Sequence, residues 1–72
     1  MYDKTTIGNC IVANRGRRRM TRFDLSEATG IPVSTLEGYE NAKTSISLEN
    51  AWRIADAFGM EIDGLFERKV PA

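Results

Sequence analysis

The 72-residue chain has no histidine, one cysteine, two prolines, and ten Lys and Arg balanced by ten Asp and Glu. Without histidine it lacks most zinc ligand sets and the commonest general base. A lone cysteine, Cys10, closes no internal disulfide. No apolar run approaches the roughly 18 residues of a membrane span, and Met1-Tyr2-Asp3-Lys4-Thr5-Thr6 has no signal-peptide pattern. The expectation is a cytoplasmic domain with no membrane partner, no cofactor and no legible small-molecule ligand. Alternating β-branched runs are also missing, which removes the usual strand signal. What is present is enough apolar residue, 42%, to argue against disorder. A chain this short buries only about 60% of its unfolded surface, so nearly every apolar side chain has to serve one core.

A net charge of zero argues against nucleic acid at first sight, but the charges are segregated. Residues 1–22 carry Lys4, Arg15, Arg17, Arg18, Arg19 and Arg22 against Asp3, a net +5. Residues 23–63 are net −6, and 64–72 net +1. Such segregation predicts a bipolar surface with one face able to approach an anion, unless Arg17–Arg19 simply complement a helix C-terminus.

Helical periodicity dominates. Ile7, Cys10, Ile11 and Asn14 predict a first helix from about Ile7 to Gly16, capped by Thr6. Thr21 and Asp24 form a capping-box pattern for a second helix, Arg22 to Thr29, with Leu25, Ala28 and Thr29 inward. Gly30 suits the left-handed position that ends it. A third helix starts at Pro32 or Val33 and runs to Glu40, burying Leu36 and Tyr39. Ser47 caps a fourth, whose apolar stripe is Leu48, Ala51, Trp52, Ala55 and Phe58, with Gly59 closing it. A short fifth runs from about Ile62 to Arg68. Cys10 and Trp52 fall on apolar faces and read as core.

The second helix, Gly30, a three-residue connection and the third helix have helix-turn-helix spacing. The string from Met20 to Lys43 resembles the phage repressor/Cro-like (XRE-type) helix-turn-helix family. Ser47-Leu48-Glu49, Ile54 to Met60 and Leu65-Phe66 resemble its fourth and fifth helices. The resemblance implies an all-α, compact five-helix, lambda-repressor-like fold. It implies one domain over 1–72, with a core of about 7–66 and a tail of 67–72. It also implies that the third helix lies in the DNA major groove while the second helix's N-terminus sits on phosphates. By the match, Val33, Ser34, Thr35, Glu37 and Gly38 face bases, and Thr21, Arg22, Asn41, Lys43 and Thr44 contact phosphate. Arg15 and Glu40 match a structural ion pair.

The departures from the family pattern fall where bases are read. The third helix has no Arg, Lys, Asn or Gln, the side chains that make bidentate base contacts. Ala42 stands where the family often has glycine, so either Asn41 takes the left-handed conformation or the loop turns differently. Phe23 occupies a usually polar position; its ring either packs over the first helix or stands exposed for a partner chain.

The leading expectation is a sequence-specific transcriptional regulator on double-stranded DNA. It would bind a palindromic operator as a homodimer, formed through Leu65, Phe66 and Val70 or mainly on DNA. The alternative keeps the fold and makes it a protein-interaction module, antitoxin-like or anti-regulator, favoured by the acidic middle and the plain third helix. An enzyme is not expected.

Overall fold

The computed structural model describes residues 3–66. They form five helices and no strand: α1 (Lys4–Arg17), α2 (Arg22–Thr29), α3 (Val33–Glu40), α4 (Leu48–Phe58) and α5 (Ile62–Phe66). The expected end of the fifth helix at Arg68, and the tail of 67–72, lie outside the described residues.

The first helix begins three residues earlier than its apolar stripe predicts. Asp3, not Thr6, is the N-cap, and its carboxylate accepts from the Thr6 N–H at 2.7 Å. That bond, a charge-assisted cap, holds the Asp3 carboxyl below its ordinary pKa. Lys4, Thr5 and Thr6 carry no apolar periodicity, so only the cap marks this extra turn.

The turn between α2 and α3 is built from short polar side chains around one apolar residue. Thr21 and Asp24 form the reciprocal capping box, and Gly30 takes φ 75° at the other end of α2. Ile31 is then driven into the core, 2% exposed. The Thr29 hydroxyl donates to the Leu25 carbonyl and accepts from the Ile31 N–H, while the Ser26 hydroxyl donates to the Ile31 carbonyl. Every backbone group of Ile31 is thereby partnered, which fixes the angle at which α3 leaves.

Ile7, Ile11, Leu25, Leu36, Tyr39, Ile54, Phe58 and Leu65 join Ile31 in a single core. Tyr39 is buried with its hydroxyl accepting from the Asn50 amide at 2.8 Å, which ties α3 to α4. On α4 the buried face is Ala51, Ile54, Ala55 and Phe58. Trp52 and Leu48 are 53% and 68% exposed, contrary to the stripe expected from sequence. Both sets have helical spacing and share Ala51, Ala55 and Phe58, so periodicity alone does not choose between them. Ala28 likewise faces solvent, and Phe23 is 61% exposed rather than packed over α1. Leu65 is fully buried.

The tightest approach is between α1 and the end of α3. A Cβ on Gly8 would lie 2.7 Å from the carbonyl oxygens of both Tyr39 and Glu40. Farther along the same crossing, Arg15 grips Glu40 through two bonds, Nε to Oε2 at 2.7 Å and Nη2 to Oε1 at 2.9 Å. The third guanidinium nitrogen donates to the Met20 carbonyl. Arg22, from the first turn of α2, adds an Nε bond to Glu40 Oε1 at 2.8 Å. The Glu40 side chain is 1% exposed. Its burial pushes the carboxyl pKa up, but the hydrogen bonds and charges of Arg15 and Arg22 outweigh that and hold it below its ordinary value.

Arg18 accounts for part of the basic cluster. Its guanidinium donates twice to the Phe58 carbonyl at the end of α4, lies 4.9 Å over the Phe58 ring, and bonds Asn14. It serves as a cationic cap for a helix C-terminus.

Two outcomes are expected. Gly8→Ala gains helix propensity but drives a methyl into backbone that has no side-chain rotamer to yield. We expect a net loss of about 1–2 kcal/mol in denaturant unfolding; an unchanged or raised midpoint would contradict the close crossing. Glu40→Gln should cost about 2–3 kcal/mol at neutral pH, less than a fully buried pair because both arginines keep some solvent contact. Because the folded Glu40 pKa is depressed, its contribution is complete above the ordinary value of 4.5 and is lost as pH falls through the lowered one. Melting curves in acid should therefore decline less steeply for Glu40→Gln than for the parent; parallel declines would remove Glu40 as the source.

Candidate nucleic-acid interface

Leu36 and Tyr39 turn inward from α3, leaving Ser34, Glu37 and Asn41, spaced three and four residues apart, along its outer side. Val33 is 36% exposed at the edge of this face. Thr35 is half-buried. Gly38 is partly covered by Thr44, whose Oγ1 lies 2.6 Å from where a Gly38 Cβ would stand. Of the five residues expected to face bases, Ser34 and Glu37 thus offer exposed polar side chains, Val33 offers an apolar edge, and Thr35 and Gly38 sit farther back.

The loop after α3 is folded onto the same end. The Gly38 carbonyl accepts the N–H groups of Lys43 and Thr44 at 2.9 and 3.2 Å. Ala42 itself takes the left-handed conformation at φ 59°, while Asn41 stays at φ −94°. Alanine therefore keeps the turn that glycine would make without strain, at a steric cost. Asn41, Lys43 and Thr44 all remain exposed. Lys4, at the start of α1, lines a small cleft with Thr44 and Ser45. Nothing in the sequence singled out Lys4 beyond its charge, because only the packing of α1 on α3 brings it to this loop.

At the start of α2, the Thr21 hydroxyl accepts from the Asp24 N–H, and Leu25 N–H reaches the Thr21 carbonyl. The N–H groups of Arg22 and Phe23 have no hydrogen-bond partner among the described residues, so this helix end points free donors and a positive dipole outward. The Arg22 side chain is less free. Besides its bond to Glu40, its Nη1 lies 3.6 Å from Glu37 Oε2, and the side chain remains 37% exposed. Its own pKa is raised, first by the hydrogen bond to Glu40.

The basic N-terminal third is therefore divided. Arg15, Arg18 and Arg22 engage internal oxygens, whereas Lys4, Arg17 and Arg19 make no ion pair among the described residues, and neither does Lys43. Arg18 is directed toward the C-terminus of α4. No group of His, Cys, Asp and Glu suited to a metal ion occurs among the described residues. No helix there is long and apolar enough to cross a membrane.

Comparison with known proteins gives this arrangement a family. The helix-turn-helix pattern HTH_3 matches residues 13–65. Over 69 residues the chain is 36% identical to the SPbeta prophage-derived uncharacterized HTH-type transcriptional regulator YopS of Bacillus subtilis, covering 93% of each protein. Its fold is similar to that of the restriction-modification controller protein C.AhdI from Aeromonas hydrophila, with a TM-score of 0.84 and 24% identity over 88% of this chain and 96% of that one. An HTH_3 family transcriptional regulator from Vibrio cholerae gives a TM-score of 0.82 and 22% identity, over 88% of this chain and 35% of the other. At those identities the two structures speak for the fold, while the pattern match and the Bacillus relative speak for descent. The chain belongs to the phage repressor/Cro-like helix-turn-helix family, whose members are DNA-binding transcriptional regulators and not enzymes.

Proposed function

We propose that this regulator binds a roughly palindromic operator as a homodimer, with α3 in the major groove and the phosphate backbone held from both sides of it. The observation that carries this reading is the juxtaposition of three donor groups around the outer face of α3. These are the free N–H groups at the start of α2, the Asn41–Thr44 loop, and Lys4 beside Thr44. Phosphate contacts position a protein on the duplex, and groove-facing side chains then discriminate sequence. Thr21 and Arg22 contribute on the α2 side; Asn41, Lys43 and Thr44 contribute on the other. Val33, Ser34, Thr35, Glu37 and Gly38 form the surface presented to bases.

For the dimer contact, Leu65 is unsuitable because it is already in the core, and Phe66 and Val70 lie outside the described side chains. The outer face of α4 is the better surface. Leu48 and Trp52 lie one turn apart and exposed, and Trp52 continues into a groove lined by Met60 and Ile62 and rimmed by the carboxylates Asp56, Glu61 and Asp63. Helix-turn-helix dimers set their recognition helices about 34–36 Å apart, so a second copy is the occupant that this function requires. The protein-interaction alternative draws its support from exposed Phe23 and from the carboxylate on α3.

Affinity for duplex DNA should fall steeply between about 50 and 200 mM salt as condensed counterions are released. Lys43→Ala should weaken binding on all sequences alike and reduce the salt slope by about one. Lys43 is a cleaner probe than Arg22, whose loss also strips a bond from Glu40. Salt-independent binding would remove the phosphate model, and absence of any duplex binding would favour the protein-interaction reading. In sedimentation, Trp52→Glu should convert dimer to monomer while the far-ultraviolet helical signal is kept, since the indole is half exposed; an unchanged dimer would place the contact elsewhere.

A further inference from the structure

The outer face of α3 has lost the usual base-reading side chains, yet it holds one directional, ionised group at its centre. Glu37 is 54% exposed, and neither of its carboxylate oxygens is hydrogen-bonded within the described residues. Ser34, one turn earlier, is both donor and acceptor and discriminates little. Val33 offers only a methyl contact, and Gly38 has no side chain. Within Val33–Glu40 the strongest directional preference therefore falls to Glu37; Asn41, at the C-cap, stands with the loop assigned above to phosphate.

A carboxylate is a selective reader because it only accepts. In the major groove, guanine presents two acceptors and thymine presents one beside its methyl group. Adenine offers a donor at N6 but flanks it with the N7 acceptor, which repels a carboxylate. Cytosine presents the N4 donor without an adjoining acceptor on the same base. An acceptor at this position thus favours a cytosine over each of the other three bases.

The obstacle to a carboxylate in the groove is repulsion from the phosphates, and the structure holds an answer to it. Arg22 Nη1 sits 3.6 Å from Glu37 Oε2, close enough to offset its charge yet beyond hydrogen-bond distance. Arg22 is kept there by its Nε bond to buried Glu40, and it stands at the positive end of α2. The cation that lies beside the phosphate track thereby also neutralises the acid that reads the base.

Resting on the DNA-binding reading above, we propose that Glu37 is the specificity-determining residue of this regulator and selects a cytosine in each operator half-site, with Arg22 as its charge-neutralising positioning partner. The test is selection of bound duplexes from a random-sequence pool, run in parallel at one salt concentration on the full chain and on Glu37→Gln and Glu37→Ala. The parent should enrich one near-invariant cytosine per half-site, and replacing it should weaken binding about fivefold to tenfold. Glu37→Gln should change that position to adenine, whose N6 and N7 suit a carboxamide. Glu37→Ala should flatten that position and leave the others. A parent site without such a cytosine overturns the proposal with no variant needed, and so does a cytosine that persists in Glu37→Ala. Salt-dependent binding with no position sensitive to residue 37 overturns it while leaving DNA binding intact. Failure to bind any duplex removes both.

Discussion

One buried carboxylate organises the domain. Glu40 closes α3, yet its two oxygens are held by Arg15 from α1 and Arg22 from α2, so three helices meet at a single anion. Desolvating a carboxylate is costly, and here two guanidinium groups, one of them bidentate, offset that cost. The close crossing at Gly8 lets α1 approach α3 along the same line. Together these contacts set the position of α3 relative to the start of α2, the geometry on which a helix-turn-helix depends.

The same network changes how the charge balance is understood. A net charge of zero arises from a basic start and an acidic middle, but the basic part is not all surface. Arg15 and Arg22 answer Glu40, and Arg18 closes α4 over the Phe58 ring. Among the described residues Lys4, Arg17, Arg19 and Lys43 make no ion pair, and of these Lys4 and Lys43 lie near the loop after α3. Few unpaired cations on that side imply modest nonspecific affinity for a polyanion, because the electrostatic term grows with the number of phosphates neutralised.

Much of this was legible in the chain itself. The capping box of Thr21 and Asp24, the left-handed Gly30 and Gly59, and the Ser47 cap mark helix ends by local chemistry, and they stand where that chemistry places them. The start of α1 was harder, since its first turn is polar and one aspartate is its only sign. Trp52 has the size and helical spacing of a core residue, but the smaller Ile54 on the adjoining stripe fills that space. Gly8 and, beyond its charge, Lys4 carry no local signal, for their roles depend on residues more than thirty positions away. Of the candidate interface, the residue positions came from the family match, but the covering of Gly38 by Thr44 and the placing of Arg22 beside Glu37 did not.

Local chemistry was enough to specify an all-helical chain, the ends of most of its helices and its helix-turn-helix spacing, because caps, glycines and apolar repeats act over three or four residues. Which face of α4 is buried, and which arginines are available to a ligand, emerged only when the helices packed. So did the placing of Arg22 Nη1 3.6 Å from Glu37 Oε2. Those outcomes depend on distances between helices, and a local pattern carries charge and hydrophobicity but not the partner that will meet them.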